Sequence, residues 1–161
     1  MTSNYNLYFT CATSYYFIMV GISPQGSIFL NKEISSQIST NSTPIINGLA
    51  CYYGNVLTYG NIYNGLYKTA PFIAIFDKKG NLLKKKILAN TNGDLYTCSI
   101  LNITPEQNIS FTYQNDTFNN YTVACCDSSL NEIWSRPLIF NPSYSCINLF
   151  NQGKNVTFMI I

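Results

Sequence analysis

The stretch FIAIFDKKGNLLKKKIL, residues 72–88, decides how the rest of the chain is read. It opens on five apolar residues, passes through Asp-Lys-Lys-Gly-Asn, and continues as a second extended segment. Asp77 can accept hydrogen bonds from backbone amides two or three residues on, which fixes a turn. Gly80 can take φ > 0 without steric cost. FIAIF is apolar on both faces, as a strand packed between two neighbouring sheets must be. The next segment alternates more, which suits an outer, solvent-facing strand. Its lysines, Lys84 to Lys86, resemble a phosphate-binding patch only on paper. On a strand, neighbours point to opposite faces, so the three amines cannot converge. Lysines on an exposed edge also block edge-to-edge association. The reading is a solvated edge, not a nucleic-acid site.

Working outward, the same order of segments recurs. Four cysteines, Cys11, Cys51, Cys98 and Cys146, follow similar surroundings (NLYFTC, IINGLAC, GDLYTC, PSYSC) at spacings of 40, 47 and 48 residues. After each comes a short apolar segment: 16–21, 55–60, 108–113 and 155–160. A third follows at 27–33, 72–80 and 121–129, and a fourth at 35–40, 81–88 and 131–138. The segments are short, rich in Ile, Val, Phe, Tyr and Thr, and bounded by Asn, Gly, Asp and Pro, so they read as strands. A period of 40–50 residues with four strands per unit predicts an array of four-stranded antiparallel meanders. The expectation is one all-β domain over 1–161, with repeats at roughly 5–43, 45–91 and 93–141 and a partial one at 142–161.

The second repeat, GNVLTYG…APFIAIFDKKGNLLKKKIL, resembles bacterial β-propeller repeats of the pattern GNvyvtG…fvakfDsnGnllW. The resemblance spans nearly the whole chain as about three and a half degenerate repeats. In that family the Asp-x-x-Gly-Asn turn joins the third and fourth strands of a blade. Asp77, Gly80 and Asp127 occupy the turn positions here. Leu130 replaces the glycine in the third repeat, while Trp134 stands where the family carries its tryptophan. The resemblance implies a β-propeller-like array of blades. Three and a half blades do not close a ring, so the expectation is part of a larger propeller, or self-association into one.

Composition limits the chemistry. The chain is 47% hydrophobic and only 10% charged, with a net charge of +2. That charge is too small to imply nucleic acid. No apolar run approaches the roughly 18 residues that span a bilayer. There is no histidine, so His-based nucleophile pairs, zinc sites and acid–base steps have no residue to work with. No paired Cys-x-x-Cys spacing exists for an all-cysteine zinc site. The acids show no dyad, and no Gly-rich phosphate loop is present. The expectation is no enzyme, no cofactor and no metal.

The repeated cysteines read as buried core thiols, since small apolar positions recur at one place per repeat. Adjacent Cys125 and Cys126 point to opposite faces of a strand. Reduced thiols and an N-terminus without a basic leader favour an intracellular protein. The six Asn-x-Ser/Thr sequons are close to what 21 Asn and 29 Ser plus Thr among 161 residues produce by chance.

Function is sought in the loops between the second and third segments, 61–71 and 114–120, against a short one at 22–26. They carry Tyr63, Asn64, Tyr67, Lys68, Asp116 and Phe118. Exposed rings among amides and carboxylates suit protein or carbohydrate surfaces. The expected function is a non-catalytic scaffold that binds a protein partner through its loop face. A lectin-like module that binds a glycan is the alternative.

Overall fold

The computed structural model describes residues 6–12, 16–63, 69–88, 96–104, 106–115, 120–138, 146–152 and 155–160. These residues form an all-β fold with one short helix among them. The first sheet holds β1 (Leu7–Ala12), β2 (Phe17–Ile22) and β3 (Ile28–Glu33), followed by α1 (Ser35–Ile38). The second holds β4 (Thr43–Tyr52), β5 (Asn55–Tyr63), β6 (Thr69–Phe76) and β7 (Leu82–Ile87). The third holds β8 (Tyr96–Ile103), β9 (Ile109–Asn115), β10 (Asn120–Cys126) and β11 (Glu132–Leu138). The fourth pairs β12 (Cys146–Gln152) with β13 (Asn155–Ile160). Within every sheet the strands lie in chain order and run antiparallel. Among the described residues the four sheets do not close into a ring. Among the described residues no helix is long and apolar enough to cross a membrane.

The second sheet is the centre of the molecule. On β6, Phe72, Ile73, Ala74 and Phe76 are 0% exposed and Ile75 is 3% exposed. Alternation splits them between two cores. Ile73 and Ile75, with Leu57 and Tyr52, pack against Ile109, Phe111, Ala124, Cys126 and Leu130 of the third sheet. Phe72, Ala74 and Phe76, with Val56 and Ile62, pack against Met19, Leu30, Ile34 and Ile38 of the first sheet and α1. Burial of each large apolar side chain contributes about 1.5–3 kcal/mol. The sheets therefore stack face on face in chain order, with the front of each against the back of the next.

The turn read from Asp77 forms as expected. Asp77 Oδ1 accepts the amides of Lys79 and Asn81, each at 2.8 Å. Its other oxygen accepts the Asn81 side-chain amide at 2.8 Å. Asp127 repeats the arrangement, accepting from the Ser129 amide at 2.8 Å and the Asn131 amide at 2.9 Å. Gly80 sits at φ 71°, and Leu130 adopts the same conformation at φ 64°. Leucine replaces glycine there because its side chain is 5% exposed and joins the core with the second sheet. That burial offsets the cost of a left-handed residue.

Two expectations are corrected. First, the initial repeat is out of phase. Its turn at Ser23, with Gly26 at φ 82°, matches the Asp77 and Asp127 turns. In register, Leu7 pairs with Ile22 as Val56 pairs with Phe76 and Ile109 with Cys126. So β1, β2 and β3 correspond to the second, third and fourth strands of the later sheets, and among the described residues no strand pairs with the other edge of β1. The segment 35–40 is then not a fourth strand. It forms α1, which buries Ile34 and Ile38, both 0% exposed, one helical turn apart. Second, the cysteines do not share one buried site. Cys125 and Cys126 are buried, but Cys11 and Cys51 are exposed. Cys11 pairs with Ile18, on the face of the first sheet opposite the one that carries Met19 into the core with the second sheet. Cys51 lies opposite Val56 near the end of β4, beside the β4–β5 turn.

The lysines are also more than a solvated edge. Lys84 Nζ donates to the Ser128 carbonyl at 2.9 Å, and Lys86 Nζ lies 3.8 Å from Cys126 Sγ, both on the third sheet. Lys85 Nζ donates to the Ile38 carbonyl at 2.8 Å, at the end of α1. The alternation that denies a shared patch instead ties β7 to both neighbours. Gln37 completes this edge: its side chain donates to the Gly80 carbonyl at 2.9 Å and accepts from the Leu82 amide at 2.8 Å.

Candidate functional site

The loops singled out from sequence are the β5–β6 and β9–β10 hairpins. Pairing extends further than the loop boundaries suggested, since Tyr63 pairs with Thr69 and Asn115 with Asn120. Asn64, Tyr67, Lys68, Asp116 and Phe118 lie outside the described residues. Tyr63 ends β5 with its ring 44% exposed. The corrected phase also changes which loop of the first sheet is equivalent. It is the β1–β2 hairpin, not residues 22–26, and it places Tyr16, also 44% exposed, at the same end of the stack.

At that end lies an open cavity of about 490 Å³. Its wall comes from the β1–β2 hairpin, α1 and the start of β4, with Tyr16, Glu33, Ser35, Ser36, Asn41 and Thr43 among its lining. Thr43 pairs directly with Tyr63, so the exposed ring stands beside this wall. The lining is hydroxyl-rich because SSQISTNST, residues 35–43, runs through it. That run was the available signal, and strand periodicity hid it.

Glu33 supplies the one carboxylate of the lining. Its oxygens accept the Ser36 amide at 3.0 Å and the Ser36 hydroxyl at 2.6 Å. Burial pushes its pKa up, but the hydrogen bonds from Ser36 and Ser35 outweigh burial and hold it below the ordinary value. An ionised acceptor among hydroxyls can take hydrogen bonds from a hydroxylated or amide-bearing ligand. Among the described residues it is the one carboxylate of the cavity wall.

Nucleophilic chemistry is disfavoured at the buried thiols. Burial, followed by the neighbouring Cys126 and Glu106, raises the pKa of Cys125. Burial also raises that of Cys126, against the lowering effect of nearby Lys86. Both stay protonated near neutrality, and the thiol is the unreactive form. Among the described residues no group of three His, Cys, Asp or Glu is placed to hold a metal ion.

No family model matches the chain, and no curated protein matches it.

Proposed function

We propose that the chain is a non-catalytic, β-propeller-type scaffold that binds a protein partner through the end of the stack carrying Tyr63 and Tyr16. The observation that carries this reading is the front-to-back stacking of repeat sheets, with the first-type strands adjacent. β8 packs on β4, β5 and β6, and β12 packs on β8. Successive sheets wound about their innermost strands are the arrangement of propeller blades, and further sheets of the same kind would complete a ring. Such a frame is rigid and presents its hairpins together at one end, where binding residues are placed on loops held by a fixed scaffold.

The second reading is a carbohydrate-binding module. The exposed Tyr16 ring beside Glu33 and a hydroxyl-lined cavity favours it, because rings stack on the apolar faces of sugars while polar groups take their hydroxyls. One comparison separates the two. A protein partner bound by the wild type and lost in both Tyr63→Ala and Tyr67→Ala supports the scaffold. Saturable binding on a glycan array that is lost in Tyr16→Ala supports the lectin. Binding of neither kind at this end of the molecule contradicts both.

A further inference from the structure

The β4–β5 turn lies at the end of the second sheet opposite Tyr63. β4 pairs Thr43 with Tyr63 at one end and Tyr52 with Asn55 at the other, so Tyr53 and Gly54 make the turn by themselves. Tyr53 has φ 49° and Gly54 φ 71°. A turn with both central residues left-handed favours Asn-Gly, and a bulky side chain at the first of them is strained.

Among the described residues, Tyr53, Gln107 and Leu130 are the positions other than glycine with a positive φ. Leu130 is 5% exposed and its burial in the core offsets the strain. Gln107 presents its carbonyl to the Tyr52 hydroxyl at 2.7 Å. Tyr53 differs from both, with 64% of its surface exposed. Its ring meets that of Tyr52 edge to face, with centroids 4.9 Å apart and planes at 81°. The contact orients the ring without burying it. Strain kept at a residue whose side chain stays in water points to use rather than to packing.

The neighbouring β6–β7 turn supplies charge. A Cβ built on Gly54 would lie 3.6 Å from Lys78 Cε and 3.7 Å from Lys78 Nζ, so this ammonium stands beside the Tyr53 turn. Lys78 and Lys79 are both exposed. The carboxylate of the same turn, Asp77, is taken up by the amides of Lys79 and Asn81. Asp127, on the third sheet, is likewise engaged by the amides of Ser129 and Asn131. The β4–β5 and β6–β7 turns therefore present an oriented ring flanked by ammonium groups.

We propose that Tyr53 and Lys78 form a docking site for an acidic protein segment. A tyrosine ring is a common anchor of protein interfaces. The ammonium groups beside it complement carboxylates on the segment and select against basic ones. This end is remote from Tyr63, so the proposal goes beyond the proposed function, and either can fail alone.

The test is an array of synthetic peptides rich in glutamate around one aromatic residue, each beside a counterpart with glutamine in place of glutamate. It is read with the wild type, Tyr53→Asn and Lys78→Glu. Asparagine is a residue that a left-handed turn position prefers, so Tyr53→Asn should melt at or above the wild-type temperature. The wild type should bind acidic peptides and not their neutral counterparts, and salt should weaken the binding. Each variant should bind about tenfold or more weakly. The proposal is overturned if no acidic peptide binds, if the neutral counterparts bind as well, or if Tyr53→Asn binds like the wild type. It is also overturned if Tyr53→Asn melts below the wild type, since the ring is then held for packing. Binding to phosphatidylserine vesicles and to none of the peptides would assign this end to a lipid surface instead.

Discussion

Lys84 and Lys85 are neighbours in sequence, yet their ammonium groups end on different sheets. Lys84 reaches the Ser128 carbonyl on one side and Lys85 the Ile38 carbonyl on the other, at 2.9 and 2.8 Å. Each is a charge-assisted bond from an exposed strand, so Lys84→Met and Lys85→Met should each cost about 0.5–1 kcal/mol. They share no partner, so the double variant should lose the sum to within about 0.5 kcal/mol. Urea melts of the three variants check this.

The turn glycines and their replacements separate backbone strain from packing. Gly80→Ala puts a side chain at φ 71° and should destabilise by about 1–2 kcal/mol. Gln107, at φ 64°, is half-buried, and only its backbone carbonyl receives the Tyr52 hydroxyl, at 2.7 Å. Gln107→Gly should leave that bond intact and raise stability slightly. Leu130→Gly relieves the same strain but removes a core side chain, so it should destabilise by about 2 kcal/mol or more. The same melts decide the signs.

Gly60 has no such freedom to give. A Cβ there would lie 1.8 Å from the Ile45 carbonyl oxygen, at the register shift between β4 and β5. The obstacle is backbone, which cannot swing aside. Gly60→Ala should cost roughly 4 kcal/mol or more, or prevent folding. Gly26→Ala, whose Cβ would meet nothing within 4 Å, should fold and pay only for its positive φ. Soluble yield and circular dichroism separate the two.

Acid should weaken the turns. Burial pushes the Asp77 carboxyl up, but the hydrogen bonds from Asn81 and Lys79 outweigh it, and the pKa falls below the ordinary value. The Asn131 amide leads the same lowering at Asp127. Between the lowered folded value and the ordinary one, the folded chain binds fewer protons than the unfolded chain. The contribution is thus present above the ordinary aspartate value and is lost as pH falls through the folded one. Asp77→Asn keeps a side-chain oxygen for the turn without the charge. Its melting temperature should lie below that of the wild type near neutrality and converge with it below about pH 4.

The thiols should divide by exposure. Brief alkylation of the native protein should mark Cys11 and Cys51, and mark Cys125 and Cys126 only after unfolding. Peptide mass spectrometry reads the four sites separately. Native labelling of Cys126 comparable to that of Cys51 would contradict the packing of β10 against the second sheet.

The turn at Asp77 and the two-sided burial of FIAIF were legible because each rests on local chemistry: an acceptor, a glycine, and apolar residues at both parities. The strand phase of the first repeat was not. Cys11 matched the cysteines of the first strands of the later sheets by type and spacing, but register depends on which partner each strand meets, and that is a long-range property. The helix at Ser35–Ile38 was hidden for a related reason: one pair of isoleucines four residues apart is too short a pattern to set a helix against a strand, and the packing of both under the second sheet selects a helical turn. Of the candidate site's residues, Tyr63 was legible as an exposed ring. Tyr16, Glu33 and the hydroxyls come together from three elements that no single window of sequence spans.

The account rests on the second sheet being held from both faces. Native-state hydrogen exchange, resolved residue by residue, tests this directly. Amides of β5 and β6 should exchange only through global unfolding, and far more slowly than those of β3. If Ile73 to Phe76 exchange as fast as the strands of the first sheet, the stacked arrangement is wrong.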